Sequence, residues 1–304
     1  MDDFLGIAEL STKTLEDLLD TAQALSEILS RPIKKVPTLR GRAIANAFFE
    51  PSTRTRNAFE LAAKYLSADV VNFSSTGSSL EKGESVWDTV KTLEALGVDA
   101  VVVRHREAGV PQLMAERLAI PVINAGDGEH EHPTQALLDL LTVRQRFGRL
   151  QGLRVAIVGD VLHSRVARSD LYGFLALGAR VTLVGPPGLV SEEWREWGAE
   201  VTWDLAQGIR GAHVVQVLRI QRERQAQGLL PSWQEYRERW GITREHLGWA
   251  DPNVLVLHPG PQNRGVEIDS EVLEGAQSAV LDQVRNGVAV RMAVLYRLLG
   301  GAAE

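Results

Sequence analysis

Cysteine is absent from this sequence of 304 residues, which excludes disulfide bonds, thiolate metal ligands and cysteine nucleophiles. The sequence also lacks any run of about 18 apolar residues, so it predicts no membrane-spanning helix. The acidic opening Met1–Phe4 has neither the basic nor the apolar region of a secretory signal. Together these absences favour a cytoplasmic protein.

Basic residues are too few to balance the acidic ones, because 33 Lys and Arg stand against 39 Asp and Glu and leave a formal net charge of −6. A chain of this charge repels polyanions, which argues against nucleic acid as a partner. Hydrophobic residues make up 44% and charged residues 24%, as in folded globular proteins. At about 150 residues per domain, the length predicts two domains.

Short apolar runs alternate with amphipathic segments along the chain. The runs are rich in Val, Ile, Ala and Phe, as buried strands are, and cover residues 42–49, 69–73, 100–104, 121–125, 154–159, 180–185, 213–218 and 253–257. Helices are predicted between most of them, including residues 57–66, 86–96 and 133–147. This alternation predicts an α/β protein of two domains, each a parallel sheet covered by helices.

The predicted helix over 133–147 marks the boundary between the domains. We therefore expect a first domain over 1–132 and a second over 133–281, with a C-terminal helical segment over 282–304 that packs back on the first domain. Two segments are predicted as long loops: 74–84, rich in Ser and Gly, and 221–240, rich in charge and Gln. Loops of this length are either functional lids or plain surface insertions.

The segment 50–56 is the first candidate for a ligand site, because it joins a predicted strand to a helix. Backbone N–H groups at a helix start attract a phosphate, and Ser52, Thr53 and Thr55 add hydroxyl donors. Arg54 adds a planar fork of donors that fits phosphate. The plain alternative is a helix cap formed by Ser52 or Thr53 beside solvated arginines.

Two further polar clusters, Arg104–Arg106 and His132–Gln135, follow predicted strands. Because ligands bind at the carboxyl ends of parallel strands, we expect both clusters to converge on the segment 50–56. Lys82, in the Ser/Gly-rich loop, could reach the same phosphate. Each cluster alone is better explained by a structural histidine, a surface charge or a solvated loop, so the hypothesis depends on their convergence.

The second half of the chain offers carboxylate-binding groups instead. Gly159 follows a strand as in a dinucleotide-binding turn, so a nicotinamide-dependent dehydrogenase is an alternative function. The second and third glycines of that motif are missing, which argues against this alternative. Arg165 at a predicted helix start suits a carboxylate, and Arg219 and Gln221 share one face of an extended segment. The rigid turn His258–Pro261 presents carbonyl groups that could accept hydrogen bonds from an amine.

Taken in order, these segments strongly resemble the aspartate/ornithine carbamoyltransferase family over nearly the whole chain. The motifs at Ser52–Thr55 and His132–Gln135 are common to both branches of that family. Ornithine members carry a cysteine in the turn that matches His258–Pro261 and a Ser-Met-Gly loop, whereas this chain has neither and shows Arg219 and Gln221. The resemblance is therefore to the aspartate branch, with Gly260 standing where some members have Leu.

The resemblance implies carbamoyl phosphate and L-aspartate as substrates, with no cofactor and no metal. It implies that a first group of residues binds the phosphate: Ser52, Thr53, Arg54, Thr55, Lys82 and Ser78 (or its neighbour Ser79). Thr55, Arg104 and His132 would polarise the carbamoyl oxygen, and Gln135 would bind the carbamoyl amide. Arg165 and Arg219 would bind the two carboxylates of aspartate, which Gln221, Gly260 and Pro261 would help to orient.

The resemblance also implies an assembly. Family members form homotrimers in which the loop carrying Lys82 enters the active site of a neighbouring subunit. A regulatory chain or a dihydroorotase is a further partner that the family allows. An ornithine carbamoyltransferase, a dehydrogenase and a non-catalytic scaffold stay as the alternative interpretations.

Overall fold

The computed structural model describes residues 1–74, 85–221 and 232–300, so that Ser78 and Lys82 lie outside the described residues. The chain forms two compact units, one of Met1–Leu138 with the residues from Arg285 onward, and one of Asp139–Val284. It passes between them within two long helices, α5 (Pro133–Phe147) and α11 (Val280–Leu299). The expected domain boundaries, 132/133 and 281/282, stay predictions.

A four-stranded parallel sheet forms the centre of the first unit, in the order β2-β1-β3-β4. Its strands are β1 (Ala43–Phe48), β2 (Asp69–Ser74), β3 (Ala100–His105) and β4 (Val122–Asp127). The other helices of this unit are α1 (Thr12–Ser26), α2 (Thr53–Tyr65), α3 (Val86–Ala95) and α4 (Val110–Ala115), with short 3-10 helices at Ile28–Ser30 and Pro37–Leu39. Strands β3 and β4 are buried along almost their whole length, as expected where helices cover both faces.

A five-stranded parallel sheet forms the centre of the second unit, in the order β7-β6-β5-β8-β9. Its strands are β5 (Arg154–Val158), β6 (Arg180–Val184), β7 (Glu200–Thr202), β8 (Val214–Val217) and β9 (Leu255–Leu257). Its helices are α6 (Arg165–Ala176), α7 (Leu205–Ile209), α8 (Trp233–Trp240), α9 (Arg244–Leu247) and α10 (Ser270–Leu273), with a 3-10 helix at Glu192–Trp197.

Each sheet contains a point at which the strand order reverses. From β1 the chain moves to β2 on one side, and β3 and β4 then add on the other. In the second unit β6 and β7 lie on one side of β5, whereas β8 and β9 lie on the other. The connections after β1 and β3, and after β5 and β8, therefore leave in opposite directions and open a crevice at the carboxyl ends of those strands.

The predicted fold class is confirmed, and every predicted strand is present with ends that differ by only a few residues. Strand β7 was not predicted, because of its three residues only Val201 is buried and it leaves no apolar run. The predicted start of the second helix at Asn57 was wrong, since α2 begins at Thr53. Polar residues fill its first turn, and hydrophobic periodicity therefore did not reveal it.

The prediction of a loop over 221–240 was wrong for its last part. Helix α8 begins after Ser232, whose side chain accepts a hydrogen bond from the backbone N–H of Glu235. Tyr236 is fully buried and Trp240 nearly so, and both belong to the core of the second unit. Residues 75–84 and 222–231, which include the rest of both predicted loops, lie outside the described residues. None of the helices in the described ranges is long and apolar enough to cross a membrane.

Candidate active site

The start of helix α2 provides the predicted anion site of the first unit. Ser52 has extended backbone angles (φ −159°, ψ 97°) and occupies the N-cap position, but within the described structure its side chain makes no capping hydrogen bond. Thr53 and Arg54 are exposed in the first turn, whereas Thr55 is only 6% exposed. The helix dipole and these side chains together favour an anion in front of the first turn.

Arg104 joins the carboxyl ends of three neighbouring strands. Arg104 pairs with Phe48 where β3 lies beside β1. Its Nη1 donates to the carbonyl oxygen of Ala125 on β4 at 3.2 Å, and its Nη2 donates to Oε1 of Glu50, just after β1, at 3.3 Å. These contacts confine the guanidinium to the sheet edge at which the 50–56 segment begins.

His105, next to Arg104, has a structural role. Its Nδ1 accepts a hydrogen bond from the backbone N–H of Glu107 at 3.0 Å, and its ring lies 5.7 Å from the ring of Phe49. Burial lowers the pKa of His105 below its usual range, since the charged ring would lose its hydration. His105 is therefore neutral at neutral pH.

The loop between β4 and α5 holds His132 in place. Two buried carboxylates organise it: Asp127 accepts from the backbone N–H of Gly109 at 2.7 Å, and Glu131 accepts from that of Ile7 at 2.8 Å. His132 is 5% exposed and precedes α5, and its carbonyl accepts from the backbone N–H of Gln135 at 2.9 Å. The predicted site residues His132 and Gln135 therefore lie at the end of β4, beside the end of β3.

In the second unit, the loop after β5 leads directly to Arg165. The Ser164 side chain caps α6 by accepting from the backbone N–H of Ala167 at 3.1 Å, which makes Arg165 the first residue of the helix. Arg165 is only 7% exposed. A guanidinium held at this position suits a carboxylate ligand, because its planar fork of donors matches the two carboxylate oxygens.

Asp160 connects this loop with the segment that follows β8. Its buried carboxylate accepts from Nδ1 of His163 at 2.8 Å and from the backbone N–H of Gln221 at 3.3 Å. The Gln221 side chain donates to the carbonyl of His163 at 2.7 Å. Arg219 and Gln221 are half-buried while Ile220 between them is fully buried, which is the alternation expected of an extended segment.

Gly159 is required by packing. Its φ is 128°, and an added Cβ would lie 3.1 Å from the hydroxyl oxygen of Tyr236 and 3.2 Å from the carbonyl oxygen of Leu218. The close approach of these two residues explains a single glycine at this turn. This packing role accounts for Gly159, the glycine after a strand that had suggested a dinucleotide site.

The turn His258–Pro261 follows β9 and is held by the buried side chain of His258. Its Nδ1 accepts from the backbone N–H of Gly260 at 2.8 Å, and its Nε2 lies 3.3 Å from Oε1 of Glu267. The same oxygen of Glu267 accepts from the backbone N–H of Asn263. Gly260 has a positive φ of 60° and is followed by a cis peptide bond to Pro261.

The structure thus gathers the predicted residues into two sets, one in each unit. The ends of β1, β3 and β4 present Ser52, Thr53, Arg54, Thr55, Arg104, His132 and Gln135. The ends of β5, β8 and β9 present Arg165, Arg219, Gln221, Gly260 and Pro261. Among the residues that the structure describes, no cluster of three or more His, Asp or Glu side chains could hold a metal ion.

Sequence reasoning missed the carboxylates that hold these residues in place, namely Glu50, Asp160 and Glu267. Each is an acidic residue close in sequence to a basic or turn motif, and that proximity is the signal that could have revealed them. The donors that bond them lie at the ends of other strands or in following loops, so these partners were not readable from the sequence.

Comparison with known proteins identifies the class. Residues 2–145 match the model of the aspartate/ornithine carbamoyltransferase carbamoyl-P binding domain, and residues 151–298 match that of the Asp/Orn binding domain. The chain therefore belongs to the aspartate/ornithine carbamoyltransferase family.

Curated relatives refine this assignment. The chain is 53% identical to the aspartate carbamoyltransferase catalytic subunit of Moorella thermoacetica, over 99% of this chain and 98% of the relative. It is 55% identical to that of Pelotomaculum thermopropionicum, with the same coverage of both chains.

Solved structures of both branches resemble the fold. Aspartate transcarbamoylase from Trypanosoma cruzi, in complex with carbamoyl phosphate, has a TM-score of 0.90 at 28% identity and covers 98% of this chain and 96% of its own. Ornithine carbamoyltransferase from Pyrococcus furiosus has a TM-score of 0.86 at 27% identity and covers 99% of this chain and 98% of its own.

Replacement of Glu50 tests whether its carboxylate holds Arg104. We expect Glu50→Ala to lower kcat about tenfold, because a single charge-assisted hydrogen bond of about 1.5 kcal/mol no longer orients the guanidinium. Steady-state kinetics with both substrates measure this change. The matched control is Glu60→Ala, which removes a surface carboxylate paired with Lys64 at 2.6 Å and should leave kcat unchanged. Equal effects of the two substitutions would contradict the assigned role.

Proposed function

We propose that this chain transfers the carbamoyl group of carbamoyl phosphate to the amine of L-aspartate, giving N-carbamoyl-L-aspartate and phosphate, a step of pyrimidine biosynthesis. The observation that supports it best is the pair Arg165 and Arg219, which follow the adjacent strands β5 and β8 in the unit that matches the Asp/Orn binding domain. Two guanidinium groups suit the two carboxylates of aspartate. The names of the curated relatives support the same activity.

The first unit acts on carbamoyl phosphate. The start of α2, with Ser52, Thr53 and Arg54, binds the phosphate, and Lys82 and Ser78 add to it. Thr55, Arg104 and His132 donate hydrogen bonds to the carbamoyl oxygen, and Gln135 binds the carbamoyl amide. Donors aimed at an oxygen that becomes negative in the transition state are each worth a few kcal/mol.

The second unit orients L-aspartate. Arg165 and Arg219 bind its carboxylates, and Gln221 with the carbonyls of the Gly260–Pro261 turn aligns its amine. The amine attacks the carbamoyl carbon and forms a C–N bond, and the tetrahedral intermediate then collapses with cleavage of the C–O bond to phosphate. The departing phosphate takes the amine proton, so the reaction balances without a cofactor. Much of the acceleration comes from holding two mutually repelling anions in position.

A comparison of two amino acid substrates tests the proposal. We expect L-aspartate to be carbamoylated and L-ornithine to react at least 100-fold more slowly, because a cationic tail beside Arg219 in a partly desolvated site costs several kcal/mol. Purified protein is incubated with carbamoyl phosphate and each amino acid, and product is quantified. Comparable rates with both amino acids would refute the assignment of the second unit.

Two arginine substitutions should have different kinetic effects. Arg54→Ala removes a donor to the leaving phosphate, whose charge grows in the transition state, so kcat should fall by a factor of about 100 or more. Arg219→Ala removes a carboxylate contact, so the KM for aspartate should rise by a factor of about 10 to 100. Initial rates at varied concentrations of each substrate separate the two effects. The division of labour between the units is wrong if both variants change the two substrates' parameters alike.

We also propose a cytoplasmic homotrimer in which Lys82 enters the active site of a neighbouring subunit, with a regulatory chain or a dihydroorotase as a further partner. The family membership supports this assembly. It also explains how a lysine in a Ser/Gly-rich segment could belong to the site.

Mixed oligomers test the shared site. Lys82→Ala and Arg219→Ala subunits are mixed under conditions that allow subunit exchange, and activity is assayed at an aspartate concentration at which each variant alone is nearly inactive. If sites are shared, some interfaces in the hybrids combine an intact Lys82 with an intact Arg219, and activity should rise well above that of either parent. A mixture of Arg54→Ala with Arg219→Ala is the control, because both residues act within one chain and no site is restored. Verified exchange without a gain in the first mixture would show that Lys82 acts within its own chain.

A further inference from the structure

A buried cluster of two carboxyl groups and two amides lies in the second unit, outside the residues assigned above to the substrates. It contains Asp139 on α5, Asp170 on α6, Gln216 on β8 and Gln283 on α11. The first three residues are inaccessible to solvent and Gln283 is 3% exposed. Burial of polar side chains at this depth is costly unless they bond one another, and such bonds have a defined direction.

The two carboxyl groups cannot both be charged. Nε2 of Gln216 donates to Oδ2 of Asp139 at 3.2 Å and to Oδ2 of Asp170 at 3.1 Å, which brings the two carboxyls together. Burial, together with the neighbouring Asp139, raises the pKa of Asp170 well above its usual range. The proton shared by this pair therefore favours Asp170, and the two oxygens of Asp139 accept hydrogen bonds from the amides of Gln216 and Gln283.

The carboxyl group of Asp139 helps to set the orientation of the Gln283 amide. Nε2 of Gln283 donates to Oδ1 of Asp139 at 2.5 Å, and Oε1 of Gln283 accepts from the backbone N–H of His258 at 2.9 Å. A glutamine amide can be turned by 180° at almost no cost in shape, so its direction depends on its partners. Because the backbone N–H of His258 can only donate and Oδ1 of Asp139 accepts from the amide NH₂, the amide oxygen faces His258.

His258 begins the turn that the proposed function assigns to aspartate. Its backbone N–H is held by Gln283, and its ring holds the backbone N–H of Gly260, which precedes Pro261. We propose that Asp139 is a positioning residue for aspartate binding, which acts through the amide of Gln283 on the His258–Pro261 turn. This role rests on the proposed function of that turn. It differs from a general stabilising role because it predicts an effect on one substrate only.

Substitution of each carboxyl by its amide separates the two aspartates. Asp139→Asn can present either oxygen or NH₂ to Gln283, so the N–H of His258 loses a fixed acceptor, and the KM for aspartate should rise about tenfold. The KM for carbamoyl phosphate should change less than about twofold, because the first unit is untouched. The matched control is Asp170→Asn, which replaces a protonated carboxyl by a neutral donor of the same shape and should leave the KM for aspartate unchanged.

A double substitution that relocates the charge tests the mechanism directly. In Asp139→Asn/Gln283→Glu, the amide at 139 donates to the new carboxylate at 283, whose second oxygen accepts from His258. The KM for aspartate should return to within about threefold of the wild-type value. Gln283→Glu alone opposes two carboxylates and should not show this recovery. Gln283→Met, which fills the same volume without an acceptor, should raise the KM for aspartate as Asp139→Asn does.

These variants decide the proposal even if Asp139→Asn is insoluble, since Gln283→Met and the double variant give independent measurements. An unchanged KM for aspartate in Gln283→Met overturns it, as does a double variant whose KM is raised like that of a single one. A purely structural cluster would lower the thermal midpoint of the variants and leave the KM of the active fraction unchanged, which also overturns it. Wild-type protein that fails to carbamoylate aspartate would reject the proposed function itself, and the positioning role with it.

Discussion

The pairing of β1 with β3, and of β5 with β8, is the constraint on which the candidate site depends in both units. In each pair, the chain segments that follow the two strands leave toward opposite sides of the sheet. The carboxyl ends of these two adjacent strands therefore stay uncovered. Helix starts, such as those of α2 and α6, then point their N–H groups toward the uncovered edge. Side chains that are far apart in sequence become neighbours there because parallel strands end at one edge.

Buried and half-buried carboxylates hold the predicted site residues at these edges. Glu50 confines the guanidinium of Arg104, Asp160 connects the loops after β5 and β8, and Glu267 supports the ring of His258. These three carboxylates can affect the site through the residues that they hold, without a contact to substrate. Charge-assisted hydrogen bonds of this kind are directional, so they fix where a donor points as well as whether it is present.

The fold does not decide which amino acid the protein uses. A relative of each branch superimposes on this chain almost equally well, with TM-scores of 0.90 for an aspartate transcarbamoylase and 0.86 for an ornithine carbamoyltransferase. In the proposed function, discrimination between an anionic and a cationic side chain depends on a few charges at the edge of the second sheet, above all Arg219. A change of one charge there alters specificity by several kcal/mol without a change of backbone.

The sequence by itself determined the fold class, every strand except β7 and the residues of the motifs, because apolar periodicity and turn residues are local properties. It did not reveal the start of α2 at Thr53 or the burial of α8 around Tyr236, since polar first turns and charged helices resemble loops. Only the tertiary structure decided which carboxylate holds which donor, as with Glu50 and Arg104 or Asp139 and Gln283. These partners are separated by many residues, and their contact depends on strand order and register, which no local pattern encodes.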